Sequence, residues 1–145
     1  MTSCARSNVN VLVDADVWSE ALRRAAGPES NEVRVLRDLI LEDRVQLIGA
    51  LRQEILSGIR EGERFERFKT QLRSLPDRHI EPERHEEAAE LFNRCRAKGL
   101  QGSQTDFLIC ACAMAWKQPI LTKDRDFKRY QTLIPIRLLL EEESA

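Results

Sequence analysis

Short apolar runs rich in Val, Leu and Ile alternate along the chain with longer stretches in which apolar residues recur every three or four positions. The first run, residues 8–13, ends in Val11-Leu12-Val13 and meets Asp14. Its last three residues are apolar without alternation, which is the pattern of a strand buried on both sides. Asp16 is placed to cap a following helix that carries Val17, Leu22 and Ala25, and Gly27-Pro28 ends it. Residues 32–42 put Val35, Leu36, Leu39 and Ile40 at helical spacing. A short strand is expected at 44–48, a helix at 50–60 on Leu51, Ile55 and Ile59, and another helix at 62–72. Pro76 interrupts the pattern, and 78–80 reads as a brief edge strand. Pro82 suits a first helical position and Gly99 a helix end, so 82–98 reads as one long helix. Gly102-Ser103 opens the next, 104–117. A strand at 119–122, a short helix at 125–130 and a last strand at 133–138 complete the chain. Strands that alternate with helices predict an α/β fold: a three-layer α/β/α sandwich around a mostly parallel sheet of about five strands. No repeat or linker divides residues 1–145, so a single domain is expected.

The composition narrows the classes of function. A chain of 145 residues with 42% hydrophobic content suits one ordinary globular domain, which buries about 68–70% of its unfolded surface. No stretch approaches the ~18 uninterrupted apolar residues of a membrane span. The first residues lack an apolar signal core, and a cytoplasmic protein is expected. Only residues 1–8 and 141–145 read as disordered ends. Cys110 and Cys112 lie two apart in an apolar helix, and Cys4 and Cys95 have no partner at metal-ligand spacing. All four read as buried or incidental thiols rather than a zinc site. His79 and His85 fall in a charged stretch and read as surface residues. The net charge is only −1, but Lys117, Lys123, Arg125, Lys128 and Arg129 cluster near the end of the chain, where they can contact a phosphate backbone.

Four carboxylates carry the candidate chemistry. Asp14, Glu54, Asp106 and Asp124 each sit where a strand is about to end or a helix has just begun. In a parallel sheet those places share one edge, and ligand sites form outside the strands' carboxyl ends where strand order reverses. The link Lys117-Gln118-Pro119 allows only a tight reversal, so helix and strand run antiparallel. The helix climbs about 16 Å from Asp106 to Lys117, and the strand returns about 16 Å from Pro119 to Asp124. The two carboxylates therefore finish level. Acids gathered in water-poor surroundings repel one another unless a cation holds them. Divalent-metal chemistry is the expectation, with Asp126 a fifth member of the cluster. Each acid also has a plainer role: Asp106 follows Ser103 at capping-box spacing, and Asp124 and Asp126 favour a helix start. Asp14 is hardest to explain that way, because a carboxylate closing a buried strand needs a partner.

The segments Val11-Leu12-Val13-Asp14-Ala15-Asp16-Val17-Trp18, Glu54-Ile55-Leu56-Ser57-Gly58-Ile59-Arg60, Asp106-Phe107-Leu108-Ile109 and Leu121-Thr122-Lys123-Asp124-Arg125-Asp126-Phe127, in that order and spacing, resemble PIN-domain proteins. The likeness is to the VapC-type toxins of bacterial toxin–antitoxin pairs and covers nearly the whole chain. It implies a parallel five-stranded sheet flanked by helices and Mg²⁺- or Mn²⁺-dependent cleavage of RNA. It also implies homodimers and a small antitoxin protein that covers the acidic groove. By this resemblance Asp14, Glu54, Asp106 and Asp124 match the acidic positions of the site, Asp126 a second acid beside the last, and Thr122 a hydroxyl just before it. Ala15 departs from the pattern, since Thr or Ser usually follows the first Asp, and Asp16 stands where a small hydroxyl or amide is common. A missing hydroxyl weakens support around a metal, and the added carboxylate alters metal preference.

On this reading Asp14 and Asp106 are direct metal ligands and Asp124 a direct or water-mediated one, while Glu54 orients or deprotonates the attacking water. Two rivals stand beside it. Asp14-Ala15-Asp16 after a buried strand is similar to the nucleophile motif of haloacid-dehalogenase phosphatases, with Asp14 phosphorylated and Asp16 as acid–base. A non-catalytic RNA- or protein-binding module with an acidic pocket is the other.

Overall fold

The computed structural model describes residues 9–23 and 27–140. The expected strand start at Asn8, Ala25 on the first helix, Cys4 and the two disordered ends fall outside those residues. In chain order the elements are β1 (Val11–Val13), α1 (Ala15–Leu22), α2 (Asn31–Leu41), β2 (Val45–Gln46), α3 (Gly49–Ser57), α4 (Gly62–Leu72), α5 (Pro82–Ala97), α6 (Gln104–Trp116), β3 (Ile120–Leu121) and α7 (Asp126–Tyr130).

Among the described residues the sheet has three strands in the order β2-β1-β3, all parallel. Leu12 pairs with Gln46 on one side and Ile120 on the other. The strands expected at 78–80 and 133–138 are each reduced to one parallel bridge, Leu47 with Asp77 and Ile120 with Leu138. These bridges flank the sheet where a fourth and fifth strand would stand, so the parallel α/β architecture holds with shorter edges. Pro76 lies just before the first segment and Pro135 within the second, and neither can donate to a ladder, which keeps the edge pairing brief.

The topology accounts for two helix layers. From β1 through β2 to Asp77 the chain steps in one direction across the sheet, with α1 to α4 as connections. From Asp77 it steps back across to β3 through α5 and α6. Right-handed crossovers taken in opposite directions cover opposite faces. The packing agrees: α1 lies against α2 and α3, α3 against α4, and α5 against α6. The reversal also makes β1 and β3 the adjacent strands at the topological switch, the usual place for a ligand site.

Local chemistry sets the helix ends. Ser30 caps α2 through Val33 N–H (3.2 Å) and Ser103 caps α6 through Asp106 N–H (3.0 Å). Pro82 opens α5, and Gly99 follows its end at φ +84°. Within α6 every residue from Phe107 to Ala113 is buried, including Cys110 and Cys112, so this helix is apolar all round and lies in the core. In α2 the buried positions are Val33, Leu36 and Leu39. Ile40, expected on that face, is 43% exposed. No helix among the described residues is long and apolar enough to cross a membrane.

Candidate active site

Asp14 is the centre of the arrangement. Its backbone N–H donates to Leu121 O (2.9 Å), extending the β1–β3 pairing by one residue. Its carboxylate then turns back to cap α1, with Oδ1 accepting from Ala15 N–H at 2.8 Å. Asp14, not Asp16, is therefore the cap, because the helix begins directly after the strand, two residues earlier than a cap at Asp16 would allow. Oδ2 accepts from the Thr122 hydroxyl at 2.8 Å, and the residue is buried. Burial pushes the carboxyl up to about 7, the negative charge of Asp16 adds to the shift, the hydrogen bonds from Thr122 and Ala15 oppose it, and Asp106 raises it further.

Asp16 lies in the first turn of α1 and receives the Lys123 N–H at 3.1 Å. Burial raises its carboxyl, and the charge of Asp124 also raises it. Thr122 links the two sides of the site: its hydroxyl donates to Asp14 and accepts from Asp124 N–H at 3.0 Å. Asp124 Oδ1 in turn accepts from Asp126 N–H at 2.9 Å. Asp126 opens α7, with its carboxylate 3.7 Å from Arg129.

Asp106 sits in the first turn of α6. Its Oδ2 accepts from Tyr130 OH at 2.7 Å. Burial raises its carboxyl, hydrogen bonds from Tyr130 and Ser103 oppose the rise, and the charge of Asp124 reinforces it. Glu54 projects from α3 at the exposed side of the cluster. Its carboxyl is raised by partial burial and then by the charge of Asp106. The mutual influences run Asp16–Asp14–Asp106–Glu54, with Asp124 acting on both Asp16 and Asp106. The structure thus brings the four expected acids, and Asp16, into one shared negative field at the carboxyl edge of β1 and β3.

Among the described residues no three acidic, histidine or cysteine side chains stand ready as a cation cage. The donor chemistry nevertheless suits a hard cation. Mg²⁺ takes oxygen ligands, keeps several waters and is commonly met by one or two carboxylates, and the polar side chains gathered here present only carboxylate, hydroxyl and phenol oxygens.

Sequence reasoning missed Tyr130 and Gly102. Tyr130 is buried, against Phe107 at 4.9 Å and Phe127 at 5.2 Å between ring centroids. A Cβ on Gly102 would lie 2.7 Å from Tyr130 Cζ, so only glycine leaves the phenol room to reach Asp106. The available signal was that Tyr130 is the chain's single tyrosine and follows the last acidic motif. The basic residues are divided. Lys123, Arg125, Lys128 and Arg129 are exposed on the Asp124 segment, and Lys123 Nζ binds Glu20 at 2.6 Å. Lys117 caps the far end of α6 at φ 57°, about 16 Å along the helix from Asp106, and does not join them.

The sequence matches the family model of the PIN domain over residues 11–133. No curated protein sequence matches significantly. Among solved structures, VapBC2 from Rickettsia felis bound to a promoter DNA fragment superposes with a TM-score of 0.69 at 18% identity, covering 90% of this chain and 97% of that one. FitAcB from Neisseria gonorrhoeae gives 0.63 at 23% identity, with 88% and 95% covered. FitAB bound to an IR36 DNA fragment gives 0.58 at 24%, with 88% and 92% covered. At these identities the likeness is one of fold.

Proposed function

Because the chain belongs to the PIN-domain family, we propose that it is a divalent-metal-dependent endoribonuclease acting as the toxin of a toxin–antitoxin pair. The observation that supports this reading is the gathering of Asp14, Asp106, Asp124 and Glu54 at one edge of the sheet, with Thr122 bridging Asp14 and the Asp124 backbone and Tyr130 holding Asp106. The match to the PIN-domain model over residues 11–133 weighs against the phosphatase reading.

Asp14, Asp106 and Asp124 would hold a Mg²⁺ or Mn²⁺ ion, with Asp126 beside them. Such an ion lowers the pKa of bound water and offsets charge developing at the phosphate. Thr122 fixes the Asp14 carboxylate, and Tyr130 does the same for Asp106. Glu54, on the exposed side of the cluster with its carboxyl raised by partial burial and the charge of Asp106, orients the attacking water and takes its proton. Ala15 brings no hydroxyl where one is usual; its backbone N–H and the Thr122 hydroxyl support Asp14. Arg125, Lys128 and Arg129 flank Asp124 and steer the RNA backbone. The FitAcB and VapBC2 neighbours support an antitoxin partner; that it is small and covers the acidic groove, and that the toxin is a homodimer, follow from the family resemblance.

The test is cleavage of mixed cellular RNAs with Mn²⁺, alongside an Asp14→Asn control. Cleavage by the wild type alone supports the assignment; equal background from both proteins overturns it. Sequencing the RNA ends then identifies the target.

A further inference from the structure

Lys123 stands between Thr122 and Asp124, in the stretch that joins β3 to α7. It is tied to α1 at both of its ends. Its backbone N–H donates to the Asp16 carboxylate at 3.1 Å, and its Nζ donates to Glu20 Oε1 at 2.6 Å. Asp16 and Glu20 are four residues apart on α1, so they lie on one face of the helix, a turn apart. The same Glu20 oxygen accepts from the Ser30 hydroxyl at 2.9 Å. That hydroxyl has one proton to give, and its oxygen accepts the Val33 N–H as the cap of α2. Glu20 is therefore anchored to α2 independently of the lysine, and its side chain is only 21% exposed.

We propose that Glu20 is a positioning residue for the nuclease reaction: through Lys123 it fixes residues 122–124, and with them Asp124, against the strand end that carries Asp14. The inference rests on the nuclease reading above and concerns the same site. Three contacts fasten this stretch to β1 and α1: Thr122 to Asp14, Lys123 N–H to Asp16 and Lys123 Nζ to Glu20. The first two end on acids of the cluster itself, whose charges repel one another. The third ends one turn further along α1, on a carboxylate that the cluster does not use. Thr122 also accepts the Asp124 N–H, so a shift of this stretch moves both the hydroxyl on Asp14 and the Asp124 carboxylate. The ammonium of Lys123 is matched by Glu20 in a short charged hydrogen bond, so it serves this stretch and not the RNA backbone.

The experiment reads the contact with and without catalysis. In metal-free protein, Glu20→Ala and Lys123→Met should each speed amide hydrogen exchange at residues 122–126 about 5-fold, as the loss of one ion pair from a local closure allows. With Mn²⁺ and RNA, each should lower kcat about 10-fold, the scale for groups that orient metal-site acids, with KM nearly unchanged. The double variant should be no worse than either single, because both remove one contact. Glu20→Gln keeps an acceptor oxygen for Lys123 and Ser30 and should recover most of the wild-type rate. Arg37→Gln breaks the exposed pair with Glu29 and should change neither readout. In an Asp14→Asn background, Lys123→Met should leave the affinity for single-stranded RNA and its salt dependence unchanged. Circular dichroism confirms folding of each variant. A wild type that cleaves RNA while both singles match it in kcat and exchange would overturn the positioning role and leave the nuclease standing. Losses that multiply in the double variant would also overturn it. So would a Lys123→Met protein whose salt slope falls by about 0.7, the value for one phosphate contact on a single strand. A wild type that cleaves no RNA removes the nuclease reading, and the role of Glu20 with it.

Discussion

Replacing Gly102 with alanine adds one methyl group at the point where the site has least room. The added carbon would sit 2.7 Å from Tyr130 Cζ and 3.0 Å from Phe107 Cε2. Tyr130 can yield only by straining its packing, because Phe107 and Phe127 hold its ring in the core. Gly102 does not have a left-handed backbone, so the cost is steric. Overpacking of this kind costs about 1–3 kcal/mol, out of the roughly 5–15 typical of a domain, and lowers Tm by about 3–10 °C. The phenol must also retreat from Asp106, losing a hydrogen bond to a carboxylate whose removal costs about 1.5–3 kcal/mol. Tyr130→Phe loses that bond without the clash. Both singles lose the same bond and the double loses it only once, with the hydroxyl nearest the new methyl gone, so its destabilisation should fall short of the sum of the singles by at least about 1.5 kcal/mol. Urea unfolding of the four proteins measures this coupling. Additivity within about 0.5 kcal/mol, or a neutral Gly102→Ala, would refute the crowding at this point. Both single variants should also bind Mn²⁺ more weakly by calorimetry, since each frees the Asp106 carboxylate to turn.

The acids make a pH prediction of definite sign. Folded Asp14 keeps its proton up to about pH 7, whereas the unfolded side chain loses it near 3.8. The folded state therefore binds more protons between those values, and stability falls as pH rises through that window, on the order of 4 kcal/mol for Asp14. Urea titrations of metal-free protein from pH 4 to 8 should show the decline, and Asp14→Asn should flatten it; an upward slope would contradict the burial assigned to Asp14. Thr122→Val keeps the volume but strips Asp14 and Asp124 N–H of their shared partner, which should cost about 1–3 kcal/mol in denaturant midpoints and reduce cleavage. Cys95, Cys110 and Cys112 are buried, and burial pushes the Cys112 thiol up to about 12. A Cys4→Ser protein should thus react with a thiol reagent only as fast as it unfolds, and rapid labelling of the native protein would show the α6 core to be open.

Several features were legible because they depend on neighbours in sequence. The periodicity of α2, α4 and α5, the caps at Ser30 and Ser103 and the stop at Gly99 follow from local hydrogen bonding and backbone preference. The level placement of Asp106 and Asp124 follows from the short reversal at Lys117, where rise per residue leaves one geometry. Asp14 was conspicuous because a carboxylate ending an apolar strand has to find donors. The identity of those donors was not legible. Thr122 meets Asp14 across 108 residues of sequence, and Tyr130 reaches Asp106 only because Gly102 leaves the space. The expected cap at Asp16, the full strands at 78–80 and 133–138 and the place of Lys117 beside the acids all gave way to tertiary packing. Strand length depends on which backbone lies alongside, and a cation's neighbours depend on which end of a helix it occupies. Local patterning therefore set which elements form and which acids stand at their ends, while long-range contacts decided where the sheet stops and which side chains hold the acids in place.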